Sequence, residues 1–385
     1  MRTNRRSLIL LGAAVALPGP ALAAWPLGRA KPAKGCKGRA AYGGGPLRAQ
    51  VDAATFDTAA KVGSTRATPY ASDDLDSRLE KTLAATKSQT LTAAVARSDG
   101  TLWTQTLAAS GGPPAPASFE WPGLAEVYVA TAVLQLVEEK KLALDATIER
   151  WAPEIATARW ISVQDLLGHT SGLAGPLPGQ AVPASPYCPG AGWSSADADY
   201  RLLIRIVEAL DGRGAVARRT IEALDLKETK LSVGSDLTPP TLTASAADVV
   251  RFWRALLADR LHSAQMTRQR FQRLYPMTAA PVRTWWGLGV TVTDLAADPW
   301  NPADTWLGHT GARPGVSAVV AYSPRRRAVV AVALTGQGSA QTAIDLLLLG
   351  VEPDPTALNF TPRPPRPAKR PRRPPAKSAK RPNRR

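Results

Sequence analysis

A chain of 385 residues is long enough to bury one large core or two modest ones, and its 48 Lys+Arg against 31 Asp+Glu give a formal charge of +17. Hydrophobic residues at 44% and charged residues at 21% exclude wholesale disorder. Two cysteines exclude a disulfide scaffold, and three scattered histidines with no Cys-x-x-Cys exclude most structural zinc sites. The charge sits at the ends. Residues 1–23 carry three basic residues, 24–48 carry six and 361–385 carry eleven, none of them with an acid, so that residues 49–360 stand at −3. That is an ordinary globular balance, and the fold itself is not marked as a nucleic-acid binder.

The chain opens on Asn4-Arg5-Arg6-Ser7-Leu8-Ile9-Leu10, followed by apolar residues to Leu17, a Pro18-Gly19-Pro20 break and a small-x-small Ala21-Leu22-Ala23. This is the layout of a signal peptide over 1–23, of the twin-arginine (Tat) kind although Asn stands before the arginine pair; a Sec signal is the alternative. The apolar run is short of the ~18 residues a membrane span needs, as is every later segment. The mature chain is therefore expected to be periplasmic or secreted, with no transmembrane span. Residues 24–72, rich in Ala, Gly, Lys and Pro, read as a largely irregular basic arm. In an oxidising compartment Cys36 and Cys188 either pair or stand as separate thiols.

A helix is expected from Asp73 through Leu83. Thr90–Ala96 and Thr101–Leu107 read as strands flanking the hairpin turn Ser98-Asp99-Gly100. Apolar residues at 127, 130, 133, 134 and 137 predict a helix from Pro122 to Lys141, with Pro122 in its first turn, where its missing N–H costs nothing. Further helices are expected over Asp199–Ala209 and Ala246–Leu257. Ser317–Tyr322 and Ala328–Leu334 read as a second hairpin, and Ala340–Leu349 as a last helix. Strands at both ends with helices between predict an α+β fold, an antiparallel sheet flanked by helices plus a helical insert, over residues 73–355. Residues 361–385, with eight prolines and eleven basic residues, cannot form a core and read as a disordered, polyproline-leaning tail. Such a tail suits anionic envelope polymers or lipid headgroups, at about 1 kcal/mol per basic residue near a charged surface. An exported protein would rarely meet nucleic acid, so that partner is not expected.

Several ordered strings resemble the serine β-lactamase and penicillin-binding-protein superfamily, in its class C and esterase-like branch. Val129 to Asp145 is similar to the helix after the nucleophile and the stretch that follows it. Leu166-Leu167-Gly168-His169-Thr170-Ser171-Gly172-Leu173 resembles the family's "LLtHTSGL". Leu242 to Asp248, Trp286-Gly287-Leu288-Gly289 and Gly308-His309-Thr310-Gly311 with Pro314-Gly315 resemble three further blocks, over roughly residues 74–350 in all. The resemblance implies the β-lactamase/transpeptidase-like fold and no cofactor. It also implies three chemical motifs. A Ser-x-x-Lys at a helix start supplies a nucleophile and its base on one helix face. A Tyr-x-Asn or Ser-x-Asn aids proton transfer, and a Lys/His-Thr/Ser-Gly strand faces the substrate.

Against that pattern two motifs fail. The serine position is Gly123 and the lysine position Glu126, and no serine anywhere in the chain is followed by lysine three residues on. In the second motif Ser195 stands for Tyr and Asp197 for Asn, and no tyrosine has Asn two residues later. Only His309-Thr310-Gly311 survives, as the expected cleft or ligand-binding strand. Glycine has no side-chain atom to acylate, and loss of a triad-type nucleophile costs roughly a millionfold in rate. The sequence therefore predicts a catalytically inactive pseudoenzyme that binds a peptidoglycan-type or other cell-envelope ligand. The alternative is an active β-lactamase, carboxypeptidase or esterase with an unrecognised nucleophile; a third reading is an envelope-bound scaffold.

Glu126 and Asp197 replace a cation and an amide, which makes the expected site acidic with His309 opposite. Glu126, Asp197 and His309 could then hold a metal or a cationic ligand, or perform acid–base chemistry. The competing reading is that both acids have drifted in a solvated cleft. His169 is expected to shape a turn, His262 to lie on a surface helix, and Ser171, without an adjacent base, not to act as a nucleophile. Trp193 and Trp306 lie close to motif positions.

Overall fold

The computed structural model describes residues 68–69, 72–173, 188–190, 192–234, 239–277, 283–294, 305–348 and 351. The leader 1–23, the arm 24–72 apart from residues 68, 69 and 72, the tail 361–385 and Cys36 lie outside the described residues. Cys188 is held in a disulfide.

Helix α1, Asp73–Thr86, starts where the Ser72 hydroxyl accepts the Leu75 N–H at 3.3 Å, with Asp73, Asp74 and Asp76 in the first turn against the positive end of its dipole. It leads into β2 (Ser88–Arg97) and β3 (Thr101–Ala108), the expected hairpin. The Asp99 carboxylate closes the turn by accepting the Thr101 N–H at 2.8 Å and its hydroxyl at 2.7 Å. The arm is not wholly irregular: β1, Thr68–Pro69, pairs parallel with β3. The second hairpin is β11 (Val316–Ser323) and β12 (Ala328–Gly336), and β12 pairs antiparallel with β2. This pairing joins the hairpin at the start of the fold to the hairpin near its end inside one sheet. Beyond β11 lie β10 (Thr305–Arg313), β9 (Thr291–Asp294), β8 (Arg283–Trp286) and β7 (Tyr275–Pro276), giving nine strands in the order β1-β3-β2-β12-β11-β10-β9-β8-β7. A separate three-stranded sheet pairs β4 (Phe119–Glu120) and β5 (Lys230–Ser232) with β6 (Thr241–Ala244). With the helices between, this is the expected α+β fold.

Both faces of the large sheet are covered, so its central strands read as nearly continuous apolar runs. Alternation along β12 sends Val330, Val332 and Leu334 to one face, where they meet Leu75 and Leu79 of α1 and Ile344 and Leu347 of α8 (Ala340–Leu348). Val329, Ala331 and Ala333 face the helical insert: α2 (Ala125–Glu138), α3 (Val163–Leu167), α4 (Asp197–Asp211), α5 (Ala215–Thr220), α6 (Ala246–Leu257) and α7 (Ala264–Gln272). Helix α2 starts three residues later than its apolar period suggested and ends three earlier. Pro122–Leu124 form a turn instead, because Gly123 takes φ +75°. Among the described residues no helix is long and apolar enough to cross a membrane.

Candidate functional site

The segment before α2 is anchored at Trp121, whose N–H donates to the Leu242 carbonyl at 2.8 Å and whose indole donates to the Ala244 carbonyl at 3.0 Å. The turn that follows places Gly123 against β10. A Cβ built on Gly123 would lie 3.2 Å from His309 Cε1, 3.3 Å from the Thr310 carbonyl oxygen and 3.4 Å from Gly311 Cα. From the other side, a Cβ on Gly311 would fall on the Pro122 carbonyl and lie 2.9 Å from the Gly123 nitrogen. The strand and the turn therefore meet backbone to backbone. Where a nucleophile would project, the edge of the His309 ring is in the way.

One turn into α2, Glu126 projects between two imidazoles. Its Oε2 lies 3.3 Å from His309 Nε2 and 3.5 Å from His169 Nε2, and its side chain keeps 14% exposure. His169 is delivered by local chain chemistry. Helix α3 opens with a capping box, in which the Ser162 hydroxyl accepts the Asp165 N–H and the Asp165 carboxylate accepts the Ser162 N–H at 2.8 Å. It closes at Gly168, and His169 then takes φ 52°, a left-handed conformation held by the structure around it. The imidazole is fully buried and donates from Nδ1 to Asp199 Oδ2 at 2.8 Å; the Ser171 hydroxyl donates to the other Asp199 oxygen at 2.6 Å. The result is a buried chain Ser171–Asp199–His169–Glu126–His309.

Charge explains its protonation. Burial pushes the Glu126 carboxyl up, but the His169 charge and contacts from both imidazoles outweigh it and hold it at about 2. Burial likewise opposes the His169 cation, and Glu126 and Asp199 together raise it to about 10. Asp199 is pushed up to about 6 by burial, against the opposing pull of His169. His169 thus stands as an imidazolium between two carboxylates.

Aromatic rings wall the cluster. Trp286 lies 4.7 Å from the His169 ring and 5.1 Å from the His309 ring, and its indole donates to the Leu167 carbonyl at 3.0 Å. Trp193 lies 6.0 Å from Trp286 and 6.2 Å from His169. Behind them Arg270, fully buried, ties the turn after β8 to α2: it donates to the Leu288 carbonyl at 3.0 Å, the Thr131 hydroxyl at 2.7 Å and the Val127 carbonyl at 2.9 Å. Burial lowers this guanidinium to about 9.

A helix start, a strand bearing His-Thr-Gly and an intervening helical insert gathered around one cleft match a known family. Residues 125–351, more than half of the chain, match the Beta-lactamase family model. The chain belongs to the β-lactamase family. It is 27% identical to penicillin-binding protein 4 of Amycolatopsis lactamdurans, a match covering 58% of this chain and 73% of that protein. Its fold is shared by D-amino acid amidase of Ochrobactrum anthropi SV3, complexed with L-phenylalanine amide, at TM-score 0.61 and 17% identity over 72% of this chain and 99% of the amidase. A penicillin-binding protein of Bacillus halodurans also shares it, at TM-score 0.57 and 17% identity over 70% and 98% of the two chains.

Within this family fold, the residues singled out in the sequence fall into two groups. Gly123, Glu126, His309 and Gly311 come together, with Asp197 close enough for the Glu126 charge to act on it. Ser195 is exposed ahead of α4, and Thr310 is exposed with its hydroxyl donating to the Ala318 carbonyl at 3.2 Å. The reading of Glu126 as a drifted residue in a solvated cleft does not hold, because both histidines enclose it. Among the described residues no group of three or more His, Cys, Asp or Glu is arranged to hold a metal ion.

Asp199 is the residue that sequence reasoning missed; His169 shapes the expected turn after α3, and its contact with Glu126 was not foreseen. The capping box Ser162-x-x-Asp165 marks the turn that His169 follows, but nothing local marks Asp199 as its partner. Two further expectations are corrected. His262 lies not on a surface helix but buried in the loop after α6, with Nδ1 3.2 Å from the Thr267 hydroxyl; burial and the Arg270 charge hold it down to about 3. Trp306 packs on the far face of the sheet, in the α1–α8 layer, away from the cleft.

Proposed function

We propose that this β-lactamase-family protein is exported and binds a cell-envelope ligand without hydrolysing it, as a pseudoenzyme. The observation that carries this reading is Gly123. It supplies no atom to acylate, its backbone is left-handed, and the space in front of it is taken by His309 and Gly311. The base position supports the same reading, because a carboxylate held at about 2 is a poor acceptor for a hydroxyl proton. In this reading the leader 1–23 directs export, residues 73–355 form the binding unit, and the basic arm 24–72 and tail 361–385 hold it near anionic envelope polymers or headgroups. The penicillin-binding relative and the amino-acid-amide complex of a structural neighbour support a small-molecule or peptidoglycan-type ligand.

The test is covalent labelling of the full chain. Fluorescent penicillin and a fluorophosphonate should leave no adduct by intact mass, while the protein is retained on peptidoglycan sacculi. An adduct would establish the alternative, an active hydrolase with an unrecognised nucleophile. Deleting 361–385 should move the protein from the particulate to the soluble envelope fraction; unchanged fractionation removes the tether.

A further inference from the structure

The polarity of the cleft has been reversed, and the protein's own residues do not complete it. Glu126 is contacted by His169, from the turn after α3, and by His309 of β10; Asp199 of α4 holds the far side of His169, Trp286 of β8 packs on both rings, and Asp197 of α4 is close enough for the Glu126 charge to act on it. Three carboxylates face one imidazolium. Asp199 is fully used by His169 and Ser171, and Oε2 of Glu126 by the two imidazoles. Asp197 is exposed at the first turn of α4, and its carboxyl is pushed up by burial and by the Glu126 charge, which His169 offsets only in part.

Two polar groups of the rings packed around His169 and Trp286 lack a partner among the described residues. His309 is 2% exposed, and its Nδ1 has no hydrogen-bond partner among the described residues; its Nε2 has only the ion-pair contact with Glu126. The Trp193 indole nitrogen is buried and likewise unpartnered among the described residues. A buried imidazole left open in this way is costly unless something occupies the site.

We propose that the cluster of Glu126, Asp197, His309 and Trp193 is a binding site for the ammonium group of a small amine-bearing ligand. The ammonium would take the charge of Glu126 and Asp197, donate to an imidazole nitrogen of His309, and lie near the half-buried Trp193 ring, an arrangement that favours cations. A carboxylate at the same position would meet two like charges. The proposal rests on the binding reading above and names its ligand class.

The test uses three probes of one shape and no scissile bond: phenethylammonium, phenylacetate and 2-phenylethanol. They are titrated into the full-length mature protein with tryptophan fluorescence and calorimetry as readouts. Phenethylammonium should bind saturably in the millimolar range or tighter, and the other two at least tenfold more weakly. Glu126→Gln should weaken the ammonium tenfold or more. Asp197→Asn, on an exposed side chain, should weaken it several-fold with an unchanged melting temperature, which keeps the test valid if Glu126→Gln folds poorly. Equal or tighter binding of phenylacetate, no binding of any probe, or binding indifferent to Asp197→Asn would overturn the site. Because no probe can be hydrolysed, these outcomes are independent of acylation. An adduct with fluorescent penicillin would sink the inactive reading while leaving ammonium recognition standing, and absence of ammonium binding would do the reverse.

Discussion

Restoring the missing nucleophile should not restore an enzyme. In Gly123→Ser the new side chain must be carried at φ +75°, where a Cβ costs about 1–2 kcal/mol. The same atom would press on His309 Cε1 at 3.2 Å and on the Thr310 carbonyl at 3.3 Å, contacts that β10 relieves only by moving. The two effects together place the loss at about 1–3 kcal/mol. For a large domain that is a fall of about 2–12 °C in melting temperature, at ~2–4 °C per kcal/mol. Gly123→Ala should cost the same, since the strain lies in the Cβ and not in the hydroxyl. Neither variant should take up fluorescent penicillin, and Gly123→Ser/Glu126→Lys should fail as well, because the strain at position 123 remains and its lysine would enter a slot walled by two imidazoles that face a carboxylate. Differential scanning calorimetry and in-gel fluorescence read both arms. A Gly123→Ser protein as stable as the parent would refute the geometry, and a labelled one would show that the acyl slot is open after all.

The His169 cation makes the fold sensitive to alkali. Its pKa is raised from 6.5 to about 10, so its stabilising contribution is complete below pH 6.5 and is lost as pH rises through 10. Urea midpoints should therefore fall over that window, by at most about 1.4 kcal/mol per pH unit for one proton, and His169→Asn should flatten the slope; an unchanged slope would place the charge elsewhere. Asp199 acts in the same direction at lower pH: its carboxyl is raised from 3.8 to about 6, so its contribution is present below 3.8 and lost by pH 6. Arg270→Ala removes the donors that serve the Val127 and Leu288 carbonyls and the Thr131 hydroxyl, and should cost about 2–4 kcal/mol in urea unfolding. A loss below 1 kcal/mol, on the order of a single exposed hydrogen bond, would show that the turn after β8 is held by packing alone.

Elements with local signals were legible in the sequence. The helix expected over Ala246–Leu257 is α6 with the same bounds, its start fixed by the Ser245 hydroxyl accepting the Asp248 N–H, and Ser98-Asp99-Gly100 marked the first hairpin. The arm's strand β1 was not legible, because a two-residue strand has no period and exists only through β3. The start of α2 was misplaced for a related reason. An apolar period continues through a turn that only the left-handed Gly123 reveals. At the site, the degenerate positions stood out against the family's motifs, and so did His309 opposite Glu126. His169 did not, since its partner Asp199 lies thirty residues on and their contact is set by the packing of α3 against α4.

Two of the departures from the family's motifs, Gly123 and Glu126, are physically coupled. A carboxylate at position 126, with most of its surface removed from water, would cost several kcal/mol if unpaired. His169 supplies the counter-ion, and it can do so only because Asp199 accepts from its other nitrogen and holds the ring as a cation. His309 approaches Glu126 alongside the space in front of position 123; a serine Cβ there would lie 3.2 Å from the same ring edge, which would have to give way. Gly123 and Glu126 are thus two sides of one rearrangement, in which the ring of the surviving His-Thr-Gly motif moves into the nucleophile's space and a carboxylate replaces the ammonium beside it. Random decay of a catalytic site would leave a buried acid unpaired or a cavity where the serine stood. Here the acid is paired and the space is filled, while the exposed Asp197 leaves one carboxylate facing outward and the buried His309 keeps an unpartnered nitrogen. That combination is expected of a site whose chemistry has been exchanged for binding, and the ammonium titration separates it from a site that has merely closed.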